Sequence, residues 1–388
     1  MSRLLKHITF WRVVTTALIG AGFYGLFVRF YYGWQASTHL SDAQPWGVWV
    51  GVGTLCGVAL SAGGFAIAAA VYILGMERYR PVVKASVLIS FLGYSTVCFG
   101  YLYELGLPWN MWYIFIYWNR HSVLFEVAGC VIMYTTVLTL EFCPNVIEKL
   151  PWVKFREALL HYHHKIVIGL TLIGTVLSSL HQSFLGGLFL VMKDKIHPLW
   201  YSQYIHTMFY MTAIPAGLAV VIMVMYLSMR SLNVRIDYGI LTDLAKVIVP
   251  MLFLYGIFRF VDLANNGGAQ YLFKPSREAG YFWMEILLLV VLPIIGFSLE
   301  RVRENPKALY WTSTVLVMGL VVNRVNVSIT SLEWFTHANY VPSWIEMAIM
   351  IMCFAVAVVV FRLCVIYLDI FPRMQQKRER WLTSPATA

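Results

Sequence analysis

The sequence has 388 residues, of which 60% are hydrophobic and only 12% are charged. A soluble domain covers its core with a smaller apolar share, so this composition excludes an ordinary soluble enzyme and predicts that apolar surface faces lipid. The net charge of +10 would suit a nucleic-acid partner, but the basic residues cluster at the ends of apolar stretches, which indicates membrane topology instead.

Ten apolar stretches of about 18 to 28 residues recur along the chain, as is typical of bilayer-spanning helices. The first ends in tyrosines without a small-residue cleavage site, so we expect a retained helix. The predicted fold is therefore an all-α polytopic membrane protein with about ten transmembrane helices. The predicted helices lie near residues 13–32, 46–74, 85–107, 121–141, 164–188, 203–229, 247–264, 281–299, 309–330 and 344–370.

The Lys and Arg residues separate into two sets of loops. Twenty of the 29 lie in the termini and in alternate loops, whereas the intervening loops hold only Arg120, Lys193, Lys195, Lys274 and Arg277. The positive-inside rule then predicts that both termini are cytoplasmic, which requires an even number of crossings and agrees with ten helices. We expect a multi-pass protein of the inner (cytoplasmic) membrane, with a cytoplasmic tail at residues 371–388.

The cysteines give no sign of a metal centre. They form no CxxC pair, and an iron–sulfur cluster usually needs four thiolates at close spacing. We interpret them as small buried thiols between helices and expect neither a cluster nor another metal site in this chain. All six lie in or at the edge of predicted helices: Cys56, Cys98, Cys130, Cys143, Cys353 and Cys364.

Glu126 is the ionisable residue that most strongly indicates function. A charged group at the centre of a membrane helix costs at least ~2.5 kcal/mol on insertion scales, so its presence predicts a role. Glu126 follows His121 in the run HSVLFE, and the next predicted helix carries His181 in SLHQSFLG. Antiparallel neighbours place Glu126 and His181 at similar depth, where a carboxylate and an imidazole suit proton delivery to a quinone carbonyl. The competing interpretation is a structural hydrogen bond between helices.

Other polar residues accompany this pair. Tyr94 lies mid-membrane in FLGYS, and Lys84 and Glu141 lie at the predicted cytoplasmic ends of the third and fourth helices. Together with Glu126 they form a candidate proton path, although a buried tyrosine also serves as a simple donor to a backbone carbonyl. A second set lies toward the outer helix ends, where we expect structural ion pairs between groups at helical spacing. Its members are Glu104, Arg259, Asp262, Glu285, Arg324 and Glu346, and Arg259 with Asp262 is the pair expected from spacing.

A b-type haem is the main alternative cofactor, since it needs axial histidines inside the membrane. Only His181 is clearly inside a predicted helix, and no helix carries two histidines at the wide spacing of stacked haems. We therefore expect no haem in this chain. A proton-coupled transporter is another alternative, because intramembrane acids also mark transport pathways, but Gly/Pro-interrupted helix pairs are not evident.

A series of sequence runs extends through most of the chain. They are PWGVWVG (Pro45 to Gly51), LSAGGFAIAAAVY (Leu60 to Tyr72), FLGYS (Phe91 to Ser95), HSVLFE (His121 to Glu126), LEF (Leu140 to Phe142), LHQSFLG (Leu180 to Gly186) and HPLW (His197 to Trp200). In this order they resemble the NrfD/HybB family of membrane subunits, found in polysulfide reductase, hydrogenase-2, alternative complex III and sulfate-respiration complexes. NRVNVSI (Asn323 to Ile329) and YVPSWIE (Tyr340 to Glu346) look closer to the Dsr and Hmc-type branch than to hydrogenase-2.

This resemblance implies two four-helix bundles, residues 46–188 and 203–330, with a flanking helix at each end. It implies a site for menaquinone or another quinone near the periplasmic surface, with Tyr94, Glu126 and His181 at the matching positions, and neither haem nor iron–sulfur cluster in this subunit. The implied partners are a periplasmic ferredoxin-like iron–sulfur subunit and further redox subunits, such as a multihaem cytochrome, a hydrogenase or Dsr/Hmc-type components. Hydrogenase-2 relatives have an acidic residue near Gly53 and an arginine near Lys84, and the difference argues against a proton route through the second helix.

The sequence therefore predicts the quinone-interacting membrane subunit of a respiratory redox complex, active only together with its partners. Electrons would pass between menaquinone and the iron–sulfur subunit, with protons exchanged at Glu126 and His181. The loop from Trp109 to Trp118 is unusually hydrophobic and is a candidate docking surface for a partner. An optical spectrum would separate this hypothesis from a haem cytochrome.

Overall fold

A computed structural model of the protein describes residues 10–232 and 234–371. Within these residues it contains ten helices that are long and apolar enough to cross a membrane, and no β-strand. The predicted all-α polytopic fold is confirmed, whereas the tail at 372–388 lies outside the described residues. The helices are α1 (Phe10–Tyr31), α2 (Trp49–Tyr72), α3 (Glu77–Glu104), α4 (Val123–Ile147), α5 (Val153–Lys195), α6 (Ile205–Ser231), α7 (Tyr238–Asn265), α8 (Arg277–Ser298), α9 (Pro306–Thr336) and α10 (Trp344–Tyr367).

Three helices begin at least eight residues earlier than their hydropathy predicts. α3 begins at Glu77 rather than near residue 85, α5 at Val153 rather than near residue 164, and α7 at Tyr238 rather than near residue 247. The additional turns carry charged residues, which lower the local hydropathy without interrupting the helical hydrogen bonds. The start of α7 is fixed by Asp237, whose side chain accepts a hydrogen bond from the backbone N–H of Gly239.

Several segments depart from regular α-helix. Three of these segments are π-helical turns, which contain one extra residue and are frequent at functional sites. They occur in α2 (Trp49–Thr54), in α8 (Leu287–Val291) and in α9 (Asn326–Thr330). The remaining short segments are a helix at Trp34–Ser37, a helix at Glu300–Glu304, and 3₁₀ turns at Glu77–Tyr79, Pro108–Phe115, Leu190–Lys195 and Gly268–Tyr271.

We call α2 to α5, which pack on one another, the first helix group, and α6 to α9, which do the same, the second helix group; α5 and α2 also pack closely on α6. α2 and α6 join the groups through glycines, because a Cβ atom on Gly63 would lie only 2.3 Å from the carbonyl oxygen of Gly217. Glycine pairs of this kind let helix backbones approach closely in lipid. α2 is the most buried of the ten helices, as its run of small residues indicates.

Alternate loops define two sides of the molecule. The loops after α1, α3, α5, α7 and α9 lie on the side that we call the aromatic side, because it carries Trp109, Trp112 and Trp118 in the loop after α3. The loops after α2, α4, α6 and α8 lie on the opposite side, which we call the basic side. Two ion pairs on the basic side tie distant parts of the chain together: Arg78 with Asp243, at 2.9 Å, and Lys149 with Asp369.

Candidate functional site in the first helix group

Tyr94 and His181 meet inside the first helix group. The Tyr94 hydroxyl lies 2.7 Å from Nδ1 of His181, and both side chains are 0% exposed. Tyr94 comes from α3 and His181 from α5, so the bond joins two helices that are far apart in the sequence. A buried polar group is costly to leave unpaired, so this hydrogen bond fixes the orientation of the imidazole ring.

Tyr134 of α4 and Phe65 of α2 complete the surroundings of Tyr94. The rings of Tyr134 and Tyr94 pack edge to face with centroids 4.3 Å apart, and the Phe65 ring lies 5.1 Å from the Tyr134 ring. Every helix of the first group therefore contributes a side chain. Sequence reasoning missed Tyr134, although a tyrosine in the middle of an apolar helix is the same signal that indicated Tyr94.

The structure places Glu126 nearer the aromatic side than the Tyr94–His181 pair. Glu126 lies in the first turn of α4, eight residues before Tyr134, which corresponds to about 12 Å along a helix axis. Its side chain is half-buried and has no hydrogen bond or ion pair within the described residues. His121 is exposed in the preceding loop. The structure thus brings Tyr94 and His181 together, but it brings neither Glu126 nor His121 into hydrogen-bond contact with them.

Lys84 and Glu141, the candidates for a proton path, do not pair with each other. Lys84 forms an ion pair with Glu148 at 3.3 Å on the basic side. Glu141 is buried and accepts a hydrogen bond from Thr171 of α5 at 3.3 Å, while its second oxygen has no partner. Glu141 also lies seven residues beyond Tyr134, about 10 Å along the helix. In the described part of the chain these residues do not form a continuous hydrogen-bonded chain.

His181 and its neighbour Gln182 carry three buried polar atoms without partners. Nε2 of His181 and both amide atoms of Gln182 are buried and have no hydrogen-bond partner within the described residues. More than nine-tenths of buried polar groups in native structures are hydrogen-bonded, so these atoms suit the hydrogen-bonding group of a molecule bound between the helices. Sequence reasoning also missed Gln182, although it lies in the same SLHQSFLG run as His181.

Glu285 organises a second buried cluster, in the second helix group. Its side chain is 0% exposed and accepts hydrogen bonds from Trp200 at 2.8 Å, from Asn323 at 2.7 Å and from Asn326 at 2.9 Å. Asn326 begins the π-helical turn of α9. All three donors are neutral, so the carboxylate is stabilised by hydrogen bonds and not by an ion pair.

Arg324 of α9 lies beside this cluster and has no acidic partner among the described residues. It donates to the side-chain oxygen of Asn323 at 2.6 Å, to the backbone oxygen of Phe209 at 3.1 Å and to the hydroxyl of Thr212 at 2.9 Å. Its guanidinium also lies 3.6 Å from the centroid of the Phe209 ring. The expected ion pairs of Glu285 and Arg324 are therefore wrong, because neutral groups and an aromatic face surround both charges.

The ion pair expected between Arg259 and Asp262 is wrong as well. Arg259 donates to the backbone oxygen of Leu199 at 2.6 Å. Asp262 accepts from Ser202 at 2.9 Å and from Asn266 at 2.6 Å. Helical spacing places the two residues on one face, but polar groups from the loop before α6 reach each of them instead.

The ion pairs expected for the two remaining acids of the secondary set are wrong too, because their partners are neutral groups. Glu104 of α3 accepts a hydrogen bond from Thr54, at the end of the π-helical turn of α2, at 3.2 Å. Glu346 forms a capping box with Ser343 at the start of α10 and accepts a hydrogen bond from the hydroxyl of Tyr340 at 2.6 Å.

The described residues contain no group of three or more His, Cys, Asp or Glu side chains placed to hold a metal ion. The six cysteines are unpaired thiols. The expectation that the chain itself holds no haem and no iron–sulfur cluster stays a prediction.

The buried side chain of His197, in the loop before α6, makes the stability of the folded protein depend on pH. It is buried against the rings of Trp200, Tyr271 and Trp334, and its Nδ1 accepts a hydrogen bond from the backbone N–H of Leu199 at 3.1 Å. Burial lowers the pKa of His197 from 6.5 to about 4. Because the unfolded chain takes up a proton at a higher pH than the folded chain, stability is greatest above about pH 6.5 and decreases as the pH falls toward 4.

We expect the melting temperature of the purified protein to fall over this pH range, and to fall less in a His197→Asn variant. The asparagine oxygen keeps an acceptor for the Leu199 N–H but does not titrate. Thermal unfolding in detergent between pH 7 and pH 4.5 measures the effect. An equal pH dependence in both proteins would show that His197 is not responsible.

Known proteins resemble this chain over the helices that carry the two polar clusters. The sequence profile of the family described as Polysulphide reductase, NrfD matches residues 36–336, which include all of the first helix group and both polar clusters. The chain belongs to the NrfD family. The resemblance inferred from its sequence runs is therefore confirmed, and Tyr94, Glu126 and His181 all lie within the matched part.

Individual NrfD relatives match nearly the whole chain. A protein from Nitratidesulfovibrio vulgaris strain Hildenborough is 33% identical over 361 residues, which cover 90% of this chain and 91% of that protein. The Probable Ni/Fe-hydrogenase 2 b-type cytochrome subunit of Escherichia coli is 28% identical, covering 90% of this chain and 89% of the relative. The Menaquinone reductase, integral membrane subunit of Nitratidesulfovibrio vulgaris is 26% identical, covering 95% and 93%.

Proposed function

We propose that this NrfD-family chain is the quinone-reactive membrane subunit of a respiratory redox complex, and that it binds menaquinone beside His181. One observation carries the proposal: the His181 imidazole is fully buried, one nitrogen is held by Tyr94, and the other has no partner among the residues that the structure describes. A quinone carbonyl accepts hydrogen bonds and suits such a nitrogen. The relative named as a menaquinone reductase subunit supports menaquinone as the quinone.

The arrangement suits proton exchange at a quinone oxygen. Reduction of a quinone to a quinol takes up two electrons and two protons, and oxidation releases them. If Tyr94 donates its proton to Nδ1, the proton of the imidazole lies on Nε2, where it can be donated to the carbonyl oxygen. Glu126 lies between this level and the aromatic side, so it is placed to exchange protons with water on that side.

The aromatic side is proposed to face the periplasm. The distribution of Lys and Arg supports this orientation, with both termini cytoplasmic. Trp109, Trp112, Phe115 and Trp118 of the loop after α3 are all more than half exposed, and exposed aromatic groups are enriched where proteins bind one another. We therefore propose that a periplasmic iron–sulfur subunit binds there and exchanges electrons with the quinone.

Replacing Glu126 by glutamine tests the proton role. We expect the Glu126→Gln complex to assemble normally but to lose at least ~10²-fold of its quinone-linked turnover, the usual contribution of a positioned acid or base. The amide keeps the shape of the side chain and removes the titratable proton. Steady-state oxidation or reduction of a menaquinone analogue by the purified complex measures this effect.

The matched control is Glu157→Gln, an exposed acid at the basic-side end of α5. It is expected to leave turnover unchanged. Near-normal turnover of the Glu126→Gln complex would contradict the proton role of Glu126, and failure to assemble would indicate a structural role instead.

A further inference from the structure

Helix α1 lies at the edge of the first helix group. It packs on α10, where a Cβ atom on Gly22 would lie 2.2 Å from the Cβ of Met352 and one on Gly25 would lie 2.9 Å from Ile349. These two glycines fix the close approach of α1 to α10. Toward α3, in contrast, α1 leaves an open groove.

The groove has a volume of about 530 Å³, within the range of ~300–1,000 Å³ that is typical of small-molecule sites. Its walls are almost wholly apolar and are mostly aromatic. On α1 the lining extends from Phe23 to Tyr31, about 12 Å along the axis, which is less than half of a bilayer core of ~30 Å. The groove therefore lies in one leaflet, on the aromatic side. Its lining residues are Phe23, Leu26, Phe27, Phe30 and Tyr31 of α1 and Phe99, Leu102 and Tyr103 of α3.

An arginine lies at the aromatic-side end of this groove. Arg29 is 5% exposed and donates to the backbone oxygens of Tyr103 and Leu105, both at 2.8 Å. Its guanidinium lies between two aromatic rings, 5.0 Å from the centroid of the Trp34 ring and 5.6 Å from that of the Phe30 ring, which lines the groove. No carboxylate within the described residues forms an ion pair with Arg29. A positive charge thus lies beside an apolar groove that extends through one leaflet of the membrane.

We propose that the groove between α1 and α3 binds one phospholipid, with an acyl chain along the aromatic residues and the phosphate at Arg29. A phospholipid has the two groups that complement this site: a hydrocarbon chain for the apolar walls, and an anionic phosphate for the arginine at the level of the helix ends. Bound in this way, it would add to the contacts through which α10 and Arg29 already join this pair of helices to the first helix group.

The isoprenoid tail of a quinone is the less suitable occupant. Tyr103 is nine residues from Tyr94, so at 100° per residue the two side chains lie on opposite faces of α3. Tyr94 points toward His181 inside the first helix group, whereas Tyr103 lines the groove outside it. A quinone with its head at His181 would have to pass its tail around α3 to reach the groove.

Filling the groove tests the proposal. We expect the wild-type chain, purified in mild detergent, to retain one phospholipid through stepwise delipidation, as observed by native mass spectrometry. Leu102→Trp places an indole in the groove and is expected to abolish this retention. Leu124→Trp, at a lipid-facing position of α4 that is 65% exposed, adds the same surface elsewhere and is expected to retain the lipid.

A second variant tests the contact between Arg29 and the lipid phosphate. Arg29→Met keeps a long side chain without the charge, and it is expected to weaken rebinding of phosphatidylglycerol to the delipidated chain, whereas Arg362→Met on α10 should have no effect. Equal retention in Leu102→Trp and Leu124→Trp would overturn the proposal, as would unchanged rebinding in Arg29→Met. If the Leu102→Trp substitution caused the purified protein to lose menaquinone instead of phospholipid, that result would also overturn the proposal.

Discussion

Replacing His181 by glutamine is expected to lower quinone-linked turnover of the purified complex by at least ~10²-fold, the usual contribution of a positioned proton donor. The glutamine amide reaches a similar position, but it neither titrates nor offers a ring nitrogen to the Tyr94 hydroxyl. The change therefore removes proton transfer while it keeps the site polar. Turnover of a menaquinone analogue by the purified complex measures the loss.

Two variants make this result specific. His164→Gln is the same substitution on the same helix, at an exposed position on the basic-side part of α5, and it should leave turnover unchanged. Tyr94→Phe removes one hydrogen bond to the imidazole but leaves Nε2 in the site, so it should cost less than His181→Gln. Near-normal turnover of both the His181→Gln and Tyr94→Phe complexes would contradict a quinone site at this pair.

Much of this fold can be predicted from the sequence, because membrane helices are recognised by their length and hydropathy. All ten predicted helices are present among the described residues, and the early starts of α3, α5 and α7 are the main differences. Charged residues in those first turns conceal the helix from a hydropathy argument, although Asp237 is a recognisable N-cap residue in the sequence.

The contacts of the polar residues were harder to predict. Spacing along one helix indicates which residues share a face, and this correctly grouped Arg259 with Asp262, but it cannot show what the neighbouring helices offer. Arg259 is held by a backbone oxygen of the loop before α6, and Lys84 is held by Glu148 rather than by Glu141. Such partners depend on contacts between residues far apart in the chain.

Tyr94 and His181 illustrate the opposite case. Each was identified from its own position in an apolar helix and from the family resemblance, and the structure joins them in one hydrogen bond. Tyr134 and Gln182 escaped notice because neither is charged, so the cost of burying a charge did not single them out. Buried neutral polar groups also need partners, and searching for them would have found both.

Replacing Glu285 by leucine is expected to destabilise the protein by at least ~3 kcal/mol, because it leaves three buried donors unpaired and each such donor costs ~1–3 kcal/mol. The donors are the side chains of Trp200, Asn323 and Asn326. Arg324 would also lose the acid closest to its network, since its link to Glu285 passes through Asn323. Denaturant unfolding in detergent micelles measures the difference in the free energy of unfolding.

The matched control is Glu300→Leu, at an exposed position on the basic side, for which a change within about 0.5 kcal/mol is expected. A Glu285→Leu protein as stable as the control would contradict a structural role. Removing one donor together with the acid should be less harmful than removing the acid alone, because one fewer buried donor stays unpaired. Glu285→Leu combined with Asn326→Leu, which leaves the contact between Asn323 and Arg324 in place, should therefore recover part of the lost stability. That recovery distinguishes the cost of unpaired donors from the cost of a cavity.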